Sequence, residues 1–424
     1  MSKRIVREGD GVKVSLVQPK AFHSWEALNI GYLKAYASQW EDGIDWRFFS
    51  GYFDSDKEIV NGSLDSDFIA FSATTPQTVH VRDLLHKLRA KGWDGKAVLG
   101  GVHASAQPNH LLGLFDYVVK GEGEMSLLRI LNGTVKPGIV ESPNMRNIDF
   151  LPPPDRQFIK QERNLAVTEK NDNMRIGAIF SSRGCPFRCK FCSSHEVWTR
   201  KARLHSAKRV FSEMQSLRDD WGIQFIKFSD DTFTLDEARV FELCDLIRAE
   251  KFAIPWGCNI RANTSDKLLE AMTQAHCQQV WVGAESGSPR ILKEMMKGIT
   301  IKQVAHIFNK TKQLGLYRRV YFMVGWPTET ERDIESTKEL ARIIDADQYG
   351  FSVLCPYPNN IGFNPSMLDS IDWSIMDEYG NPYARTETIS HDRLIEHQTE
   401  LIREFNDKMC FRQRGDPDEV PGTS

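Results

Sequence analysis

The residues with the clearest chemical potential are three cysteines in the stretch RGCPFRCKFC. Cys185, Cys189 and Cys192 follow the spacing C-x3-C-x2-C, whereas the other five of the eight cysteines in this 424-residue chain are scattered. Three thiolates that converge on one point form a soft ligand set, which suits an iron–sulfur cluster or zinc. The spacing therefore predicts a metal centre in this loop.

Two other interpretations of the motif stay open at this stage. Structural zinc normally takes four protein ligands, and the nearest fourth candidate is His195. Alternatively, the cysteines pack as small buried side chains. The flanking Arg183, Arg188 and Lys190 argue against packing alone, because cations beside thiolates lower the thiol pKa and balance an anionic cluster. A [4Fe–4S] cluster with three ligands keeps one iron open, as a catalytic site requires.

Two series of alternating strands and helices are predicted to position these residues. In the first, apolar runs such as VKVSLVQP, DFIAFSATT, KAVLGGVHA and DYVVKGEGE alternate with helical patterns, which predicts a doubly wound parallel sheet over residues 12–135. A linker follows over 136–172, because Pro152 to Pro154 interrupt a stretch without periodicity.

The second series predicts a partial (β/α)6 barrel over residues 173–360, and a C-terminal segment follows over 361–424. Its six strands are RIGAIFSSRG, IQFIKFSDD, AIPWGCNIRA, QQVWVGAES, RRVYFMVGW and YGFSVLCPYP, and HDRLIEHQTELIREFNDKM reads as a final helix. Each strand ends in polar or glycine-rich residues. Since the loops after the strands of such barrels form the active-site face, we expect the chemistry there.

Composition narrows the possible partners. Lys and Arg total 54 against 57 Asp and Glu, so the net charge of −3 gives no basic surplus for nucleic acid. No apolar stretch approaches the length of a membrane span. The N-terminus lacks a signal-peptide pattern, so we expect a cytoplasmic protein with reduced thiols.

The cysteine motif, with Phe191 directly before its last cysteine, resembles the hallmark of radical S-adenosylmethionine (SAM) enzymes. The resemblance implies a [4Fe–4S] cluster whose open iron chelates SAM through its amino and carboxylate groups. It also implies reductive cleavage of SAM to a 5′-deoxyadenosyl radical, with the electron supplied by a donor such as flavodoxin or ferredoxin.

The same resemblance assigns SAM contacts to the loops after later strands. Asp230 and Asp231 in FSDDTF lie where the family contacts the SAM amino group, although its usual GGE is absent there. The remaining assignments are Arg261 toward the carboxylate, Glu285 and Ser286 toward the ribose and methionine portions, and Gly325 and Pro327 near adenine. Two structural alternatives stay open: an aspartate that caps the following helix, and an ion pair between Arg261 and Glu285.

The first domain resembles the cobalamin-binding domain of one radical SAM subgroup, through VQP, SATT, GGVHAS and VKGEGEMSLL. The resemblance implies that the hydroxyl groups of Ser72, Thr74 and Thr75 donate hydrogen bonds to the cofactor tail. It also implies that Gly100, Gly101 and Gly121 give the tail room, and that His103 and Glu122 are two further candidate contacts. The D-x-H-x-x-G motif is missing, so we expect no protein histidine on cobalt. Two alternatives stay open: His103 makes only a local hydrogen bond, and the domain serves for docking or packing without binding cobalamin.

The predicted reaction is cobalamin-dependent methyl transfer to an unactivated carbon, or phosphinate phosphorus, of a small-molecule biosynthetic intermediate. The alternatives are a radical reaction without methyl transfer (cyclisation, rearrangement or oxidation) and a regulatory protein without turnover. One cluster is expected, because no cysteine precedes Cys185 and only Cys355 and Cys410 lie beyond the fifth barrel strand. Cys244, Cys258 and Cys277 are expected to be buried small side chains.

Overall fold

A computed structural model describes residues 11–21, 23–377 and 381–405. The chain divides into two compact units. The first comprises the described part of Met1–Asn259 together with Ser265–Gln278 and Pro356–Ser374, and the second comprises Ile260–Thr264, Gln279–Cys355 and the described part of Ile375–Ser424.

The first unit begins with a six-stranded parallel sheet in the order β2-β1-β3-β4-β5-β6. Its strands are β1 (Lys13–Gln18), β2 (Asp45–Ser50), β3 (Phe68–Ser72), β4 (Lys96–Gly100), β5 (Tyr117–Lys120) and β6 (Gly138–Glu141). The helices between them are α1 (Leu28–Ala37), α2 (Asp56–Ser63), α3 (Thr78–Ala90), α4 (Val102–Ala106) and α5 (Glu124–Leu131).

Apolar side chains on both faces of this sheet explain its doubly wound form. Leu16 of β1 packs in one cluster with Leu28 of α1, and the next residue, Val17, packs in another cluster with Leu84 of α3. Successive residues of a strand point to opposite faces, so a continuous apolar run is buried on both sides when helices cover both faces. The predicted architecture of the first domain is confirmed.

The sheet is wider than the sequence pattern indicated. The edge strands β2 and β6 were not predicted, and β6 lies within the stretch expected to be a linker. That stretch also contains α6 (Glu162–Asp172). The apolar signal is weak in both elements, because β6 buries only Val140 and the buried residues of α6 are only Asn164 and Leu165.

The rest of the first unit positions the cysteine loop. Strands β7, β10 and β11 pair in parallel, and the short strands β8 and β9 form an antiparallel pair within the long loop after β7. These elements, in chain order, are β7 (Ile176–Ile179), β8 (Ser182–Arg183), α7 (His195–Trp198), β9 (Arg203–Leu204), α8 (Ala207–Trp221), β10 (Phe225–Phe228), α9 (Glu237–Ala249), β11 (Trp256–Ile260) and α10 (Asp266–Gln274).

The second unit holds three further parallel strands, with β13 between β12 and β14. Its elements are β12 (Cys277–Glu285), α11 (Pro289–Glu294), α12 (Ile301–Gln313), β13 (Tyr317–Val324), α13 (Glu331–Ile344) and β14 (Gln348–Val353); α14 (Met367–Ser370) returns to the first unit, and α15 (His391–Phe405) completes the second. All six predicted barrel strands are present. The predicted continuation of α15 and Cys410 lie outside the described residues.

Short 3-10 helices occur at Ile148–Phe150, Phe233–Leu235 and Trp373–Ile375. Among the described residues, no helix has both the length and the apolar character needed to cross a membrane.

Candidate functional site

The cysteine loop begins at a glycine that no other residue could replace without strain. Gly184 has φ +88°, and a Cβ there would lie 2.6 Å from the carbonyl oxygen of Lys201. The pairing of β8 with β9 brings the chain before the cysteines alongside the chain after them. The three cysteines are therefore held in a loop that is closed at its base.

The three thiols interact with one another electrostatically. Burial raises the pKa of Cys185, and Asp231 and Cys189 raise it further. Burial raises the pKa of Cys192 to about 11, with the same two neighbours and Cys185 adding to the effect. Burial, rather than the flanking cations, sets the direction of both pKa shifts. Backbone N–H groups of the loop do favour the thiolates, since Phe187 donates to Cys185.

The loop fits a multi-iron cluster better than a single metal ion. Across the described ranges, no three His, Cys, Asp or Glu side chains are close enough to hold one ion. His195 Nε2 lies 3.2 Å from Glu196 Oε1, and its Nδ1 is buried without a hydrogen-bond partner among the described residues. A [4Fe–4S] cluster attaches each thiolate to a different iron, so its three thiolates need not reach one metal ion.

The two adjacent aspartates have different environments. Asp230 is buried, accepts hydrogen bonds from Ser181 Oγ at 3.1 Å and from Ser182 Oγ, and has a pKa raised by burial. Asp231 has more exposed surface, accepts a hydrogen bond from Ser194 Oγ and interacts electrostatically with Cys185 and Cys192; burial of its carboxyl group nevertheless raises its pKa as well. Neither caps α9, because Asp236 accepts the hydrogen bond from the Arg239 N–H at 3.0 Å.

Arg183 is buried, contrary to the expectation for a cation beside the motif. Its guanidinium donates to Glu124 at 2.6 Å and to Glu122 at 3.2 Å, and it lies 4.8 Å from the ring centroid of Trp198. Glu122 also pairs with Arg203. Glu122 was predicted to contact the cofactor, but here it neutralises buried arginines. The sequence reasoning did not identify Glu124, although it lies in the same GEGE turn.

The other predicted cobalamin residues lie at the carboxyl ends of β3, β4 and β5, which are neighbours in the sheet. Ser72 Oγ accepts from Asn29 at 2.8 Å. The backbone N–H of Thr74 donates to Gln77 Oε1 at 2.8 Å. Gly101, at φ +95°, lies against strand β3, since a Cβ there would be 2.6 Å from Ala73 O.

Two of the predicted glycines would accept a Cβ without a close contact. A Cβ at Gly100 would have its nearest neighbour, Phe71 O, at 3.8 Å, and a Cβ at Gly121 would meet Ser142 Cβ at 3.5 Å. Ser105 fixes the second turn, because its hydroxyl accepts from the Gly121 N–H at 3.0 Å. Glycine turns at the carboxyl ends of parallel strands suit the close approach of a large cofactor to the backbone.

His103 is fully buried within this edge. Its Nδ1 lies 3.2 Å from Thr75 Oγ1 and its Nε2 lies 3.0 Å from His110 Nδ1. Burial lowers the pKa of His103 to about 3. Both ring nitrogens are engaged within the protein, which agrees with a cobalt site that has no histidine ligand.

A segment after β14 contacts both the cysteine loop and the first domain. Asn359 Nδ2 donates to Ala106 O at 3.0 Å, and Gln107 Nε2 donates to Asn359 Oδ1 at 2.9 Å. The next residue, Asn360, donates to the carbonyl oxygen of Phe191. The sequence predicted only a polar end to the sixth barrel strand here, and no local pattern identified these contacts.

In the second unit, Lys297 lies between two predicted SAM contacts. Its ammonium group pairs with Glu285 Oε1 at 2.6 Å, and its carbonyl oxygen accepts from Arg261. Glu285 has φ +65° and follows a register shift at the end of β12. A non-glycine residue in the left-handed region is uncommon, and such strain clusters at functional sites.

Ser286, Gly325 and Pro327 also lie in the second unit. Ser286 is buried, and its Oγ accepts from the Ser288 N–H at 3.1 Å. Gly325, at φ +91°, donates its N–H to Glu329 Oε2 at 2.6 Å, and burial raises the pKa of Glu329 to about 8. The sequence reasoning did not identify this buried carboxyl group.

Comparison with known proteins identifies the class that this fold and cysteine loop define. Residues 179–341 match the radical SAM superfamily, and residues 16–131 match the B12 binding domain. The chain belongs to the radical SAM superfamily and carries a B12-binding domain, which confirms the predicted family, enzyme class and cofactor classes.

Individual relatives resemble most of the chain. An uncharacterised methyltransferase of Pyrococcus horikoshii is 31% identical over 72% of this chain and 70% of its own length. An anaerobic magnesium-protoporphyrin IX monomethyl ester cyclase of Rubrivivax gelatinosus is 24% identical over 92% of this chain and 74% of its own. The fold resembles TsrM, a radical SAM methyltransferase of Kitasatospora setae, with a TM-score of 0.72, 16% identity and coverage of 92% and 91%.

Proposed function

We propose that this protein is a cobalamin-dependent radical SAM methyltransferase that acts on an unactivated carbon, or phosphinate phosphorus, of a small-molecule intermediate. One structural observation carries the proposal: the cysteine loop and the glycine turns of the B12-binding domain lie in the same compact unit. Arg183 connects them directly, and the adjacent Asn359 and Asn360 contact the B12-binding domain and the cysteine loop, respectively. The P. horikoshii relative is also named a methyltransferase.

When bound, the cluster, SAM and cobalamin supply the radical and the methyl group. The chain's own residues bind and orient them. Cys185, Cys189 and Cys192 hold the cluster, and Asp231 is the exposed carboxylate next to it that suits the SAM amino group. Gly100 and Gly121 are the turn glycines that cobalamin approaches, and the absence of a close clash for a Cβ at either position is compatible with this role.

The SAM-binding roles in the second unit rest on Arg261 and Glu285. Both side chains engage Lys297, which lies within GAESGSPRILKEMMKG. The strained backbone of Glu285 supports a functional role. A reduced electron carrier, a small-molecule substrate and a cytoplasmic location complete the proposal, and the seven described cysteines, which form no disulfide, suit a reducing compartment.

The second candidate function is a radical ring closure or rearrangement without methyl transfer. The similarity of the cyclase relative, which matches 92% of this chain, supports this second candidate function. The two reactions differ in what the product gains, since only methyl transfer adds a group from SAM.

The experiment is anaerobic reconstitution with iron, sulfide and cobalamin, followed by incubation with methyl-deuterated SAM and a small-molecule extract. We expect 5′-deoxyadenosine and a product that carries one labelled methyl group. A product without label would favour cyclisation, and the absence of 5′-deoxyadenosine would contradict both enzyme functions. The Cys185→Ala/Cys189→Ala/Cys192→Ala variant should lose iron and SAM cleavage but keep its far-UV circular dichroism.

A further inference from the structure

The segment that carries the cysteine loop has an excess of cations. From Arg183 to Lys208 the sequence contains seven Lys or Arg residues and one acidic residue, Glu196. Arg183 and Arg203 are buried against glutamates of the B12-binding domain, so their charges are neutralised. Five cations remain on a chain whose overall charge is −3.

These five residues form a surface that we call the cationic rim. Four of them are exposed and Arg200 is partly buried; the rim consists of Arg188, Lys190, Arg200, Lys201 and Lys208. In the part of the chain that the structure describes, none of the five forms an ion pair with an acidic side chain. The one acidic residue of the segment, Glu196, already lies 3.2 Å from His195.

Local contacts gather the rim around the cysteines. Arg200 Nη1 donates to the carbonyl oxygen of Phe187 at 2.6 Å, within the cysteine loop. Lys201 follows directly; its backbone carbonyl oxygen lies beside Gly184, at the base of the cysteine loop, and its side chain is exposed. Lys208 is in the first turn of α8, which begins where the loop after β7 ends, so it lies at the same end of that strand.

From this arrangement we propose that the cationic rim is the docking surface for an acidic one-electron carrier protein. The inference rests on the proposed function, because it assumes that the cysteines hold a redox cluster. In each encounter the reduced carrier loses one electron and the cluster gains one, and no atom is transferred. Unpaired surface charge that surrounds the acceptor steers an oppositely charged protein to the productive face and accelerates association.

Charge position favours a protein over a small anionic substrate. Lys201 and Lys208 lie on the surface and outside the cysteine loop. A site for a small anion normally surrounds its ligand with converging, partly buried donors, whereas exposed side chains spread over a loop and a helix end suit a broad partner. Nucleic acid would use the same charges, so it is an outcome of the test.

The experiment compares the reconstituted holoenzyme with its Lys201→Glu/Lys208→Glu variant. A matched control is Lys170→Glu, an exposed lysine on α6, which leads into the opposite, amino-terminal end of β7. Purified acidic flavodoxin serves as the probe. Binding is measured by calorimetry at low and high salt, cluster reduction by stopped-flow absorbance, and SAM cleavage with dithionite in place of the carrier.

We expect the double variant to associate with flavodoxin about tenfold more slowly at low salt, with the difference reduced at high salt. Dithionite-driven SAM cleavage should match that of the parent, and the Lys170→Glu control should behave as the parent in every assay. Unchanged flavodoxin binding in the double variant would overturn the docking surface. Calorimetry with a single-stranded RNA tests the alternative partner, and a loss of RNA binding in the double variant without a loss of flavodoxin binding would also overturn the proposal. Failure of the parent to cleave SAM with dithionite would instead overturn the proposed function. The flavodoxin-binding measurement could still be interpreted, because it does not depend on SAM cleavage.

Discussion

At the residue scale, burial separates side chains that the sequence treats as equivalent. Asp230 and Asp231 are adjacent and chemically identical, but the first is enclosed by serine hydroxyls and the second is exposed near the thiols. A carboxylate whose hydrogen-bonding capacity is already used stabilises the fold, whereas an exposed one next to a cluster loop is available to a ligand.

We therefore expect Asp231→Asn to weaken SAM binding and Asp230→Asn to lower thermal stability. Loss of a charge-assisted hydrogen bond costs roughly 1.5–3 kcal/mol, which corresponds to about ten- to a hundredfold in affinity. Equilibrium SAM binding and melting temperature are measured for both reconstituted variants, each serving as the control for the other. If Asp231→Asn binds SAM as the parent does and only melts earlier, its assignment to the SAM site is wrong.

At the element scale, the turn between β5 and α5 positions the start of the cysteine loop. Glu122 and Glu124 in this turn are both buried, and both pair with Arg183 at the end of β8. The elements are far apart in sequence, since 59 residues separate Arg183 from Glu124. A buried ion pair of this kind fixes one geometry, because neither charge can be exposed to water without disrupting the packing.

Removing one partner of this pair should be costly. Arg183→Met leaves the Glu124 carboxylate buried and unpaired, so we expect the free energy of unfolding to fall by about 3–5 kcal/mol in apo-protein. The double variant Arg183→Met/Glu124→Leu should recover much of this loss, because it removes both charges. Chemical denaturation of the two variants measures the difference. Equal stability of the single variant and the parent would show that the pair does not hold the loop.

At the scale of the whole molecule, one compact unit contains both the B12-binding domain and the cysteine loop. Asn359 and Asn360 reinforce this arrangement from a third region of the chain, since one contacts α4 and the other contacts the cysteine loop. The unit therefore combines segments that are far apart in the sequence. Arg261 and Glu285 belong to the other unit and are joined through Lys297 there.

The cofactor edge of this domain leads to a prediction about cobalt. His103 is enclosed by Thr75 and His110, so its replacement should disturb packing and leave the cobalt coordination unchanged. We expect His103→Ala to take up hydroxocobalamin with the optical and electron paramagnetic resonance spectra of the parent, at a lower melting temperature. A changed cobalt spectrum would identify His103 as a ligand. His110→Ala serves as the control for loss of the same hydrogen bond.

The sequence alone determined the features that depend on neighbouring residues. The cysteine spacing, the buried strands β1, β3, β4 and β5 and the six barrel strands were all predictable, because thiol spacing and apolar runs are local patterns. The polar strand ends were predictable for the same reason, since parallel topology gathers the carboxyl ends of strands on one side.

Only the tertiary structure decided the features that depend on burial and on distant partners. The edge strand β6 has little apolar signal, and it forms because β5 offers it a hydrogen-bonding partner. The burial of Arg183 depends on carboxylates about sixty residues earlier in the chain. Burial raises the pKa of both Asp230 and Asp231, but their exposed surface and their hydrogen-bond partners differ. No local pattern of residues encodes that difference, because it is set by the side chains that folding places around each carboxylate.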